Sequence, residues 1–291
     1  MAEGLVDDDE SDLQNLRRVL GGLDRQIAAS PIAVRFGPED LVEHRSRDGF
    51  VLFLDRADPS VSRQIADSTT YEPHLTAVFR EYCAPGMTVV DVGANIGYFS
   101  LLASRLVGAS GRVVAIEPNS ENCRLILLSA DVNGAANVEL LPVALDQQRG
   151  WAYFSSHVGS NGGLIPGSPS DLVEGRGTVV PTFALDELVD GPVHFIKFDV
   201  EGAEGRAVAG ARNLIEKWLP LMTTELSLEM LGRVSGINGE DFLRWFEALG
   251  YEIAILNRTT NRPDPPISAA QLLANWAGPL HIEDLLLLPP H

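Results

Sequence analysis

Two patterns of apolar and polar positions divide the chain near residue 70. Before that point, apolar residues recur at helical spacing from 12 to 27, and two short apolar runs, 33–36 and 49–54, are typical of strands. We expect residues 1–69 to form an N-terminal extension with an acidic tail, a helix and short strands. The pattern does not indicate whether this extension is a lid, a dimer surface or a covering layer.

After residue 70 the chain alternates between short apolar runs and amphipathic stretches, a pattern typical of a parallel sheet with crossover helices. The helices are predicted over residues 74–82, 98–106, 119–133, 203–218 and 239–249. The strands are predicted over residues 88–92, 112–116, 138–143, 194–200, 221–226, 251–256 and 284–288, the last two as an antiparallel pair. Residues 70–291 are therefore expected to form a doubly wound α/β domain with a seven-stranded, mostly parallel sheet.

One stretch, residues 151–183, breaks this alternation. It is rich in Gly, Ser and Pro, most of all over residues 159–163. A long irregular segment inside a compact domain is more often a functional loop than a structural one. We expect an irregular insertion here that contributes to the choice of substrate.

The composition narrows the classes of partner and compartment. The formal net charge is −18, and the first twelve residues supply only six of these negative charges, so the body of the chain is acidic as well. Neither a nucleic acid nor an anionic membrane surface is expected as a partner. The two cysteines, Cys83 and Cys123, suit a reducing environment. With no secretory signal and no apolar run of roughly 20 residues, we expect a cytoplasmic protein without a membrane span.

A glycine-containing loop, DVGANIGYF from Asp91 to Phe99, follows the first strand of the domain. Gly93 and Gly97 allow a sharp turn that approaches a ligand closely, and a helix N-terminus follows. Glu117 ends the next strand, where an acid accepts hydrogen bonds from both hydroxyls of a ribose. The two features predict a site for an adenosine-containing cofactor at this edge of the sheet.

Details of this loop favour S-adenosylmethionine over a nicotinamide cofactor. Asn95 stands where the dinucleotide fingerprint Gly-x-Gly-x-x-Gly has its second glycine, and Tyr98 or Phe99 stands where the third would be. Asp91 would repel a pyrophosphate, whereas its carboxylate can attract the ammonium group of a methionine moiety. A dehydrogenase is therefore the least favoured interpretation.

These residues belong to a set of motifs that resembles the FkbM-type methyltransferases. The motifs are DVGANIGYFS at 91–100, Glu117-Pro118, LDEL at 185–188, FIKFDVEGAE at 195–204 and Tyr71-Glu72-Pro73. The resemblance covers about residues 70–257 and implies the class I (Rossmann-like) methyltransferase fold. It also implies methyl transfer from S-adenosylmethionine to a hydroxyl group of a sugar, a glycolipid or a polyketide-type natural product.

The resemblance further implies which residues contact the cofactor. The contacts around the methionine part would be Asp91, Gly93, Ala94, Asn95 and Gly97. Glu117 would bind the ribose. The contacts near the adenine or closing the site would be Pro118, Asn119, Val143, Ala144 and Asp199.

Methylation of an alcohol requires a group that accepts its proton, or a metal that makes the proton more acidic. Asp199 is the first candidate for a base, because it ends the central strand beside the cofactor loop, and Glu201 follows on the same connection. His157, in the insertion, is a third candidate. Asp199, Glu201 and Glu225 are a conceivable Mg²⁺ site, but no histidine spacing is typical of a metal triad, and we expect no metal.

Lys197 lies in the middle of a strand that should be covered on both faces, so we expect its charge to be paired. Glu225 on the neighbouring strand is the predicted partner, in a pair that either holds the acceptor side of the site or is purely structural. Glu204 either contacts the substrate or stabilises the start of a helix. With Tyr71 and Glu72, these are the candidate substrate-binding residues.

We thus expect an O-methyltransferase of a small glycosylated or polyhydroxylated acceptor, with two alternatives left open. The acceptor atom could be a nitrogen or a carboxylate oxygen, which would lessen the need for a base. The chain could also be a binding protein that keeps a methyltransferase fold without activity. Neither the identity of the acceptor nor the formation of a homo-oligomer follows from the sequence.

Overall fold

The computed structural model describes residues 40–68, 70–158, 161–165 and 177–290. The predicted helix at 12–27 and strand at 33–36 lie outside these residues, and the division of the chain at residue 70 stays a prediction. None of the helices in the described ranges combines the length and the apolar character that crossing a membrane requires.

Strands and helices alternate through most of the described chain. The strands are β1 (Leu41–Arg45), β2 (Val51–Asp55), β3 (Thr88–Val92), β4 (Arg112–Ile116), β5 (Val138–Leu141), β6 (Ala144–Leu145), β7 (Gly150–Val158), β8 (Asn161–Ile165), β9 (Thr178–Phe183), β10 (Phe195–Phe198), β11 (Leu221–Leu226), β12 (Glu252–Asn257), β13 (Arg262–Pro263) and β14 (Glu283–Leu288). The helices are α1 (Val61–Asp67), α2 (Pro73–Tyr82), α3 (Tyr98–Val107), α4 (Ser120–Asn133), α5 (Leu185–Leu188), α6 (Glu204–Gly210), α7 (Arg212–Trp218), α8 (Leu228–Val234), α9 (Gly239–Ala248) and α10 (Ala269–Ala274). The short elements β1, α1, α8 and α10 have no counterpart among the predicted elements.

An eight-stranded sheet forms the centre of the fold, in the order β13-β12-β14-β11-β10-β3-β4-β5. Strands β11, β10, β3, β4 and β5 run parallel, and β14 pairs antiparallel with both β11 and β12. This arrangement confirms the α/β class, the mostly parallel sheet and the antiparallel pair. The two-residue strand β13 adds an eighth strand to the predicted seven.

The described part of the insertion is a sheet, so the prediction of an irregular segment over 151–183 is wrong for these residues. Strands β7, β8 and β9 form a second, four-stranded sheet with β6. Its inner face buries Phe154, Leu164 and Val180, whereas Trp151 on the outer face is 74% exposed. The alternation typical of strands is present, but the glycines and serines of the segment obscure it.

The single helix predicted over 203–218 is two helices, α6 and α7, which meet at Ala211. The reason lies in a contact with a distant part of the chain. A Cβ on Gly210 would be 2.0 Å from the carbonyl oxygen of Asp146, so the helix passes this backbone without room for a side chain. A contact of this kind leaves no trace in the local pattern of apolar residues.

The central strand β10 shows how the main sheet separates two apolar layers. Ile196 and Phe198 belong to the layer that contains α6, α7 and α9, and Phe195 belongs to the layer that contains α2 and α3. Lys197 points to the same side as Phe195, because side chains alternate along a strand. Its Nζ lies 5.6 Å from the centre of the Phe99 ring. A charged side chain therefore enters an apolar layer.

The start of α7 depends on Asp186, whose two oxygens accept hydrogen bonds from the amides of Asn213 (3.0 Å) and Leu214 (2.8 Å). We predict that Asp186→Ala lowers the free energy of unfolding by about 1–2 kcal/mol, because two helix-start amides lose their acceptor. Asp186→Asn keeps one acceptor oxygen and should lose less. Urea denaturation measures both variants, and an Asp186→Ala protein as stable as the wild type would contradict the prediction.

Candidate active site

A cleft opens at the edge of the main sheet where β3, β4, β10 and β11 end. Parallel strands bring their carboxyl ends to one edge, so the connections after these strands meet there. The second sheet covers the cleft through β7 and β8. The predicted site residues that line it are Tyr71, Glu72, Gly93, Ala94, Asn95, Glu117, Pro118, Val143, Ala144, Lys197, Asp199, Glu201 and Glu225.

The glycine loop forms one wall of this cleft. Gly93 has a φ of +75°, and a Cβ on it would be 1.9 Å from the carbonyl oxygen of Asp199, so the loop touches the end of β10. Gly97, with a φ of 91°, stands at the start of α3. Asn95 between them also has a positive φ, 51°. The close approach at Gly93 leaves no space for any other residue type.

Glu117 ties the loop to β4. Its Oε2 accepts a hydrogen bond from the amide of Asn95 (2.9 Å), and its Oε1 accepts one from the amide of Asn119 (2.8 Å). Burial raises the pKa of Glu117 to about 7, although these hydrogen bonds act in the opposite direction. Each carboxylate oxygen has a second acceptor position. The side chain of Asn122 takes one of these positions. Glu117 can therefore also accept a hydroxyl of a ribose, and in this respect the cleft fits the adenosine part of S-adenosylmethionine.

Lys197 is the central charge of the site. Its Nζ lies 3.1 Å from Asp199 Oδ2, 3.4 Å from Asp91 Oδ1 and 3.2 Å from the carbonyl oxygen of Gly93. Burial opposes the positive charge, but Asp199 and Asp91 outweigh it and raise the pKa of Lys197 above its usual value. Two of these contacts are hydrogen bonds, to Asp199 and to the carbonyl oxygen of Gly93, whereas Asp91 Oδ1 forms an ion pair with the lysine and no hydrogen bond.

The predicted ion pair between Lys197 and Glu225 is not formed. In the sheet, Lys197 stands opposite Thr223 on one side and Asp91 on the other. Glu225 lies further along β11, opposite Asp284. In the register of the parallel strands Glu225 is two residues beyond the position opposite Lys197. The lysine therefore pairs with other carboxylates.

Asp91 also differs from its prediction. Its side chain is 0% exposed, pairs with Lys197 and accepts a 2.7 Å hydrogen bond from Ser100 Oγ. It is not part of the cleft lining, because its place on β3 directly opposite Lys197 turns it into the sheet. Its charge therefore neutralises the lysine and is not positioned to attract the ammonium group of a methionine.

Carboxyl groups with raised pKa values line the cleft together with Asp199. Burial, together with the charge of Asp199, raises the pKa of Glu72 to about 8 and that of Glu225 to about 9. The same two causes raise the pKa of Glu201. Glu72 and Glu201 also have left-handed backbones, with φ of 38° and 54°. Strained backbones of this kind concentrate at functional sites.

Some predicted site residues lie outside the cleft lining. Glu204 Oε1 accepts a 2.9 Å hydrogen bond from the amide of Val200 at the start of α6, and burial raises the pKa of Glu204 to about 7. Asn119 caps the start of α4, and Gly97 precedes α3. His157 falls in β7, and its side chain is outside the described part of the structure.

The sequence interpretation missed the contribution of the second sheet to the cleft. Phe154 from β7 and Leu164 from β8 line it. Gly163 packs on the connection after β10, where a Cβ on it would be 3.0 Å from the Cβ of Glu201. The alternation along β7 is a signal for an inward-facing Phe154. No local pattern indicates that Gly163 faces Glu201.

Within the described ranges, no group of three or more His, Cys, Asp or Glu side chains is arranged to hold a metal ion. The set considered for Mg²⁺, Asp199, Glu201 and Glu225, is therefore not such a group. The ammonium of Lys197 instead lies beside the Asp199 carboxylate.

A parallel sheet with a glycine loop after its first strand, an acid at the end of the next strand and a carboxylate after the central strand defines a class, the S-adenosylmethionine-dependent methyltransferases. Residues 91–253, more than half of the chain, match the family described as Methyltransferase FkbM domain. The chain belongs to this family. The resemblance found in the motifs is thereby confirmed.

Protein-L-isoaspartate O-methyltransferases are similar to parts of the chain. The enzyme of Thermotoga maritima is 34% identical over 73 residues, which are 24% of this chain and 23% of that protein. Protein-L-isoaspartate O-methyltransferase 1 of Arabidopsis thaliana is 26% identical over 148 residues, with coverage of 46% of this chain and 64% of that protein. The chain thus spans less than two thirds of the length of these relatives.

Solved methyltransferase structures also align with the chain. Methyltransferase FkbM from Methylobacillus flagellatus aligns with a TM-score of 0.44 and 17% identity, covering 73% of this chain and 50% of that chain. A SAM-dependent methyltransferase from Aquifex aeolicus aligns with a TM-score of 0.41 and 16% identity, covering 79% of this chain and 93% of that chain.

Glu117, whose pKa burial raises to about 7, would make binding of the cofactor depend on pH. Ribose hydroxyls donate more strongly to an ionised carboxylate than to a neutral acid. We predict that the affinity for S-adenosylhomocysteine rises with pH up to about 7 and falls by up to about tenfold per pH unit below that value. Glu117→Gln keeps an acceptor oxygen but does not titrate, so its affinity should be lower and less dependent on pH. Calorimetric titration across this range measures both proteins, and a wild-type affinity independent of pH would contradict the assignment.

Proposed function

We propose that the protein transfers a methyl group from S-adenosylmethionine to a hydroxyl oxygen of a small glycosylated or polyhydroxylated acceptor, such as a sugar, a glycolipid or a polyketide-type natural product. The observation that carries this proposal is the position of Asp199. The residue follows the central strand, its backbone carbonyl approaches Gly93, and its side chain, in a residue that lines the cleft, is 34% exposed. Lys197 holds it from the buried side.

The connections after β3, β4 and β5 would hold the cofactor. Glu117 accepts a ribose hydroxyl, the backbone from Gly93 to Gly97 lies along the methionine part, and Val143 with Ala144 faces the adenine. S-adenosylmethionine, when bound, supplies a methyl group on a positively charged sulfur. The excess of carboxyl groups over cations in the cleft lining favours a ligand of that charge.

Asp199 is the group that we assign to accept the proton of the acceptor hydroxyl. An alcohol is a weak nucleophile while it is protonated, and a base acts when it lies about 2.6–3.2 Å from the hydroxyl. The 3.1 Å contact between Lys197 Nζ and Asp199 Oδ2 restricts the rotation of this carboxylate. Glu201, which also lines the cleft, is the second candidate. His157 stays a prediction from the sequence.

The space for the acceptor lies between the start of α2 and the second sheet. Tyr71 and Glu72 line the cleft on one side, and Phe154 and Leu164 line it on the other. Neutral carboxyl groups both donate and accept hydrogen bonds. This combination of apolar walls and carboxyl groups suits a small molecule with several hydroxyls.

A carboxylate acceptor fits the same space less well. Glu72, Asp199, Glu201 and Glu225 line the acceptor side, and Lys197, the one Lys or Arg among the described residues of the lining, already pairs with Asp91 and Asp199. A carboxylate there would lie beside the carboxylate of Asp199, and the charge of Lys197 is already shared between Asp199 and Asp91. The electrostatics therefore favour methylation of a hydroxyl over methylation of a carboxylate.

We predict that Asp199→Asn lowers methyl transfer to hydroxyl acceptors by about 10²–10⁴-fold, the usual contribution of a general base. Asparagine has the same size and can still accept a hydrogen bond from Lys197, so binding of S-adenosylhomocysteine should change little. Formation of S-adenosylhomocysteine with a pool of sugars and glycosides measures turnover. Asp131→Asn, at an exposed position on α4, is the matched control. Undiminished turnover by Asp199→Asn would contradict the assignment and favour an acceptor nitrogen or another base.

A further inference from the structure

The acceptor side of the cleft continues into a small cavity behind Asp199. The cavity has a volume of about 10 Å³, room for one group of the size of a water molecule, and lies between α2, β10, β11 and β14. The residues that line both spaces are Glu72, Lys197, Asp199 and Glu225. A compact group attached to a bound acceptor can therefore reach the cavity from the cleft.

The basic side chains around this cavity already have partners. Arg258 Nη2 lies 2.8 Å from Asp284 Oδ2, and His74 Nε2 lies 2.7 Å from the same oxygen. Burial opposes ionisation of Asp284, but these two neighbours outweigh it and lower its pKa. Lys197 is bound to two carboxylates. None of these side chains is left to balance a further negative charge.

Glu72 and Glu225 are the carboxyl groups without such a partner. Neither forms an ion pair with a lysine, arginine or histidine in the part of the chain that the structure describes. With pKa values raised to about 8 and about 9 by burial and by Asp199, both are largely protonated near neutral pH. A positive group placed between these two buried, unpaired carboxyl groups would stabilise their ionised forms, so the two groups form a site for a cation.

Thr223 provides an observation that does not depend on the acids. The residue is 2% exposed and lines the small cavity, and its Oγ1 makes no hydrogen bond to any described group. A buried polar atom without a partner is unfavourable by about 1–3 kcal/mol. The hydroxyl of Thr223 and the two carboxyl groups thus provide three acceptor oxygens around one small space. An ammonium group has three N–H donors and can bind all three.

Within the proposed methyl transfer, we propose that the acceptor carries a protonated amine in addition to the hydroxyl that is methylated. The ammonium group lies in the small cavity and donates hydrogen bonds to Glu72, Glu225 and Thr223 Oγ1. The acceptor class is therefore an amino sugar or a comparable amino alcohol, in preference to a neutral or an anionic sugar.

Binding of this ammonium group is linked to proton release. A cation beside Glu72 and Glu225 lowers their pKa values, so protons leave these carboxyl groups as it binds. The other titratable and charged groups that face them are Tyr71, His74, Lys197, Asp199, Glu201, Glu204, Arg258 and Asp284. A neutral hydroxyl in the same place leaves both carboxyl groups protonated. Proton release therefore distinguishes the two kinds of acceptor.

Calorimetric titration of the full chain, with S-adenosylhomocysteine present, tests the proposal with three matched sugars: glucosamine, glucose and glucuronate. Near neutral pH, glucosamine should bind at least about tenfold more tightly than glucose, since lowering one pKa by one unit corresponds to a factor of ten in affinity. Glucuronate should bind most weakly. Titrations in two buffers of different ionisation enthalpy should show proton release with glucosamine only.

Two substitutions connect this preference to the cavity. Glu72→Gln and Glu225→Gln replace a neutral carboxyl group by an amide of the same size, and each should reduce both the preference for glucosamine and the proton release. Glu252→Gln, at an exposed position on β12, is the matched control and should bind the three sugars as the wild type does.

The possible results of these titrations distinguish the ammonium site from the proposed methyl transfer. Equal affinity for glucosamine and glucose, binding of none of the three sugars, or a preference that both variants retain would overturn the ammonium site. Failure of S-adenosylhomocysteine itself to bind the wild-type protein would instead contradict the proposed function. Binding of S-adenosylhomocysteine by both variants shows that they are folded.

Discussion

The ammonium group of Lys197, buried between the carboxylates of Asp91 and Asp199, is the interaction on which the geometry of the site depends. Asp91 stands directly opposite Lys197 on β3, and Asp199 follows the strand that carries the lysine. Removing one member of a buried ion pair leaves an uncompensated charge and costs about 3–5 kcal/mol. The pair, with the hydrogen bond to the carbonyl oxygen of Gly93, therefore holds together the central strand, the glycine loop and the carboxylate that faces the cleft.

The same arrangement explains why the acceptor side of the cleft is acidic. Lys197 balances Asp91 and Asp199, and among the described residues neither Glu72 nor Glu225 forms an ion pair with it. Burial then keeps those two carboxyl groups protonated, with pKa values of about 8 and about 9. A cleft of this kind favours positive groups. The sulfonium of the methyl donor and, on our proposal, the ammonium group of the acceptor both have that charge.

The local sequence patterns were sufficient to predict the parallel strands of the core and the glycine loop. They were insufficient where contacts between distant parts of the chain determine the structure. The apolar runs that coincide with β3 and β4 were predictable, because strands covered on both faces are filled with apolar β-branched residues. Glu117 was predictable from its place after β4. The partner of Lys197 depends on the register between strands, so Glu225 was predicted where Asp91 and Asp199 are found. The second sheet within 151–183 was missed because its glycines, which allow close packing against Phe154 and Glu201, are also typical of loops.

The free energy of unfolding of Lys197→Met and of the double variant Asp91→Asn/Lys197→Met, measured by urea denaturation, tests this account most directly. The single variant should lose about 3–5 kcal/mol, because the carboxylate of Asp91 stays buried without a cation. The double variant should recover most of that loss, because no fully buried charge remains at the position. A single variant as stable as the wild type, or a double variant no more stable than the single one, would contradict the central place of this ion pair.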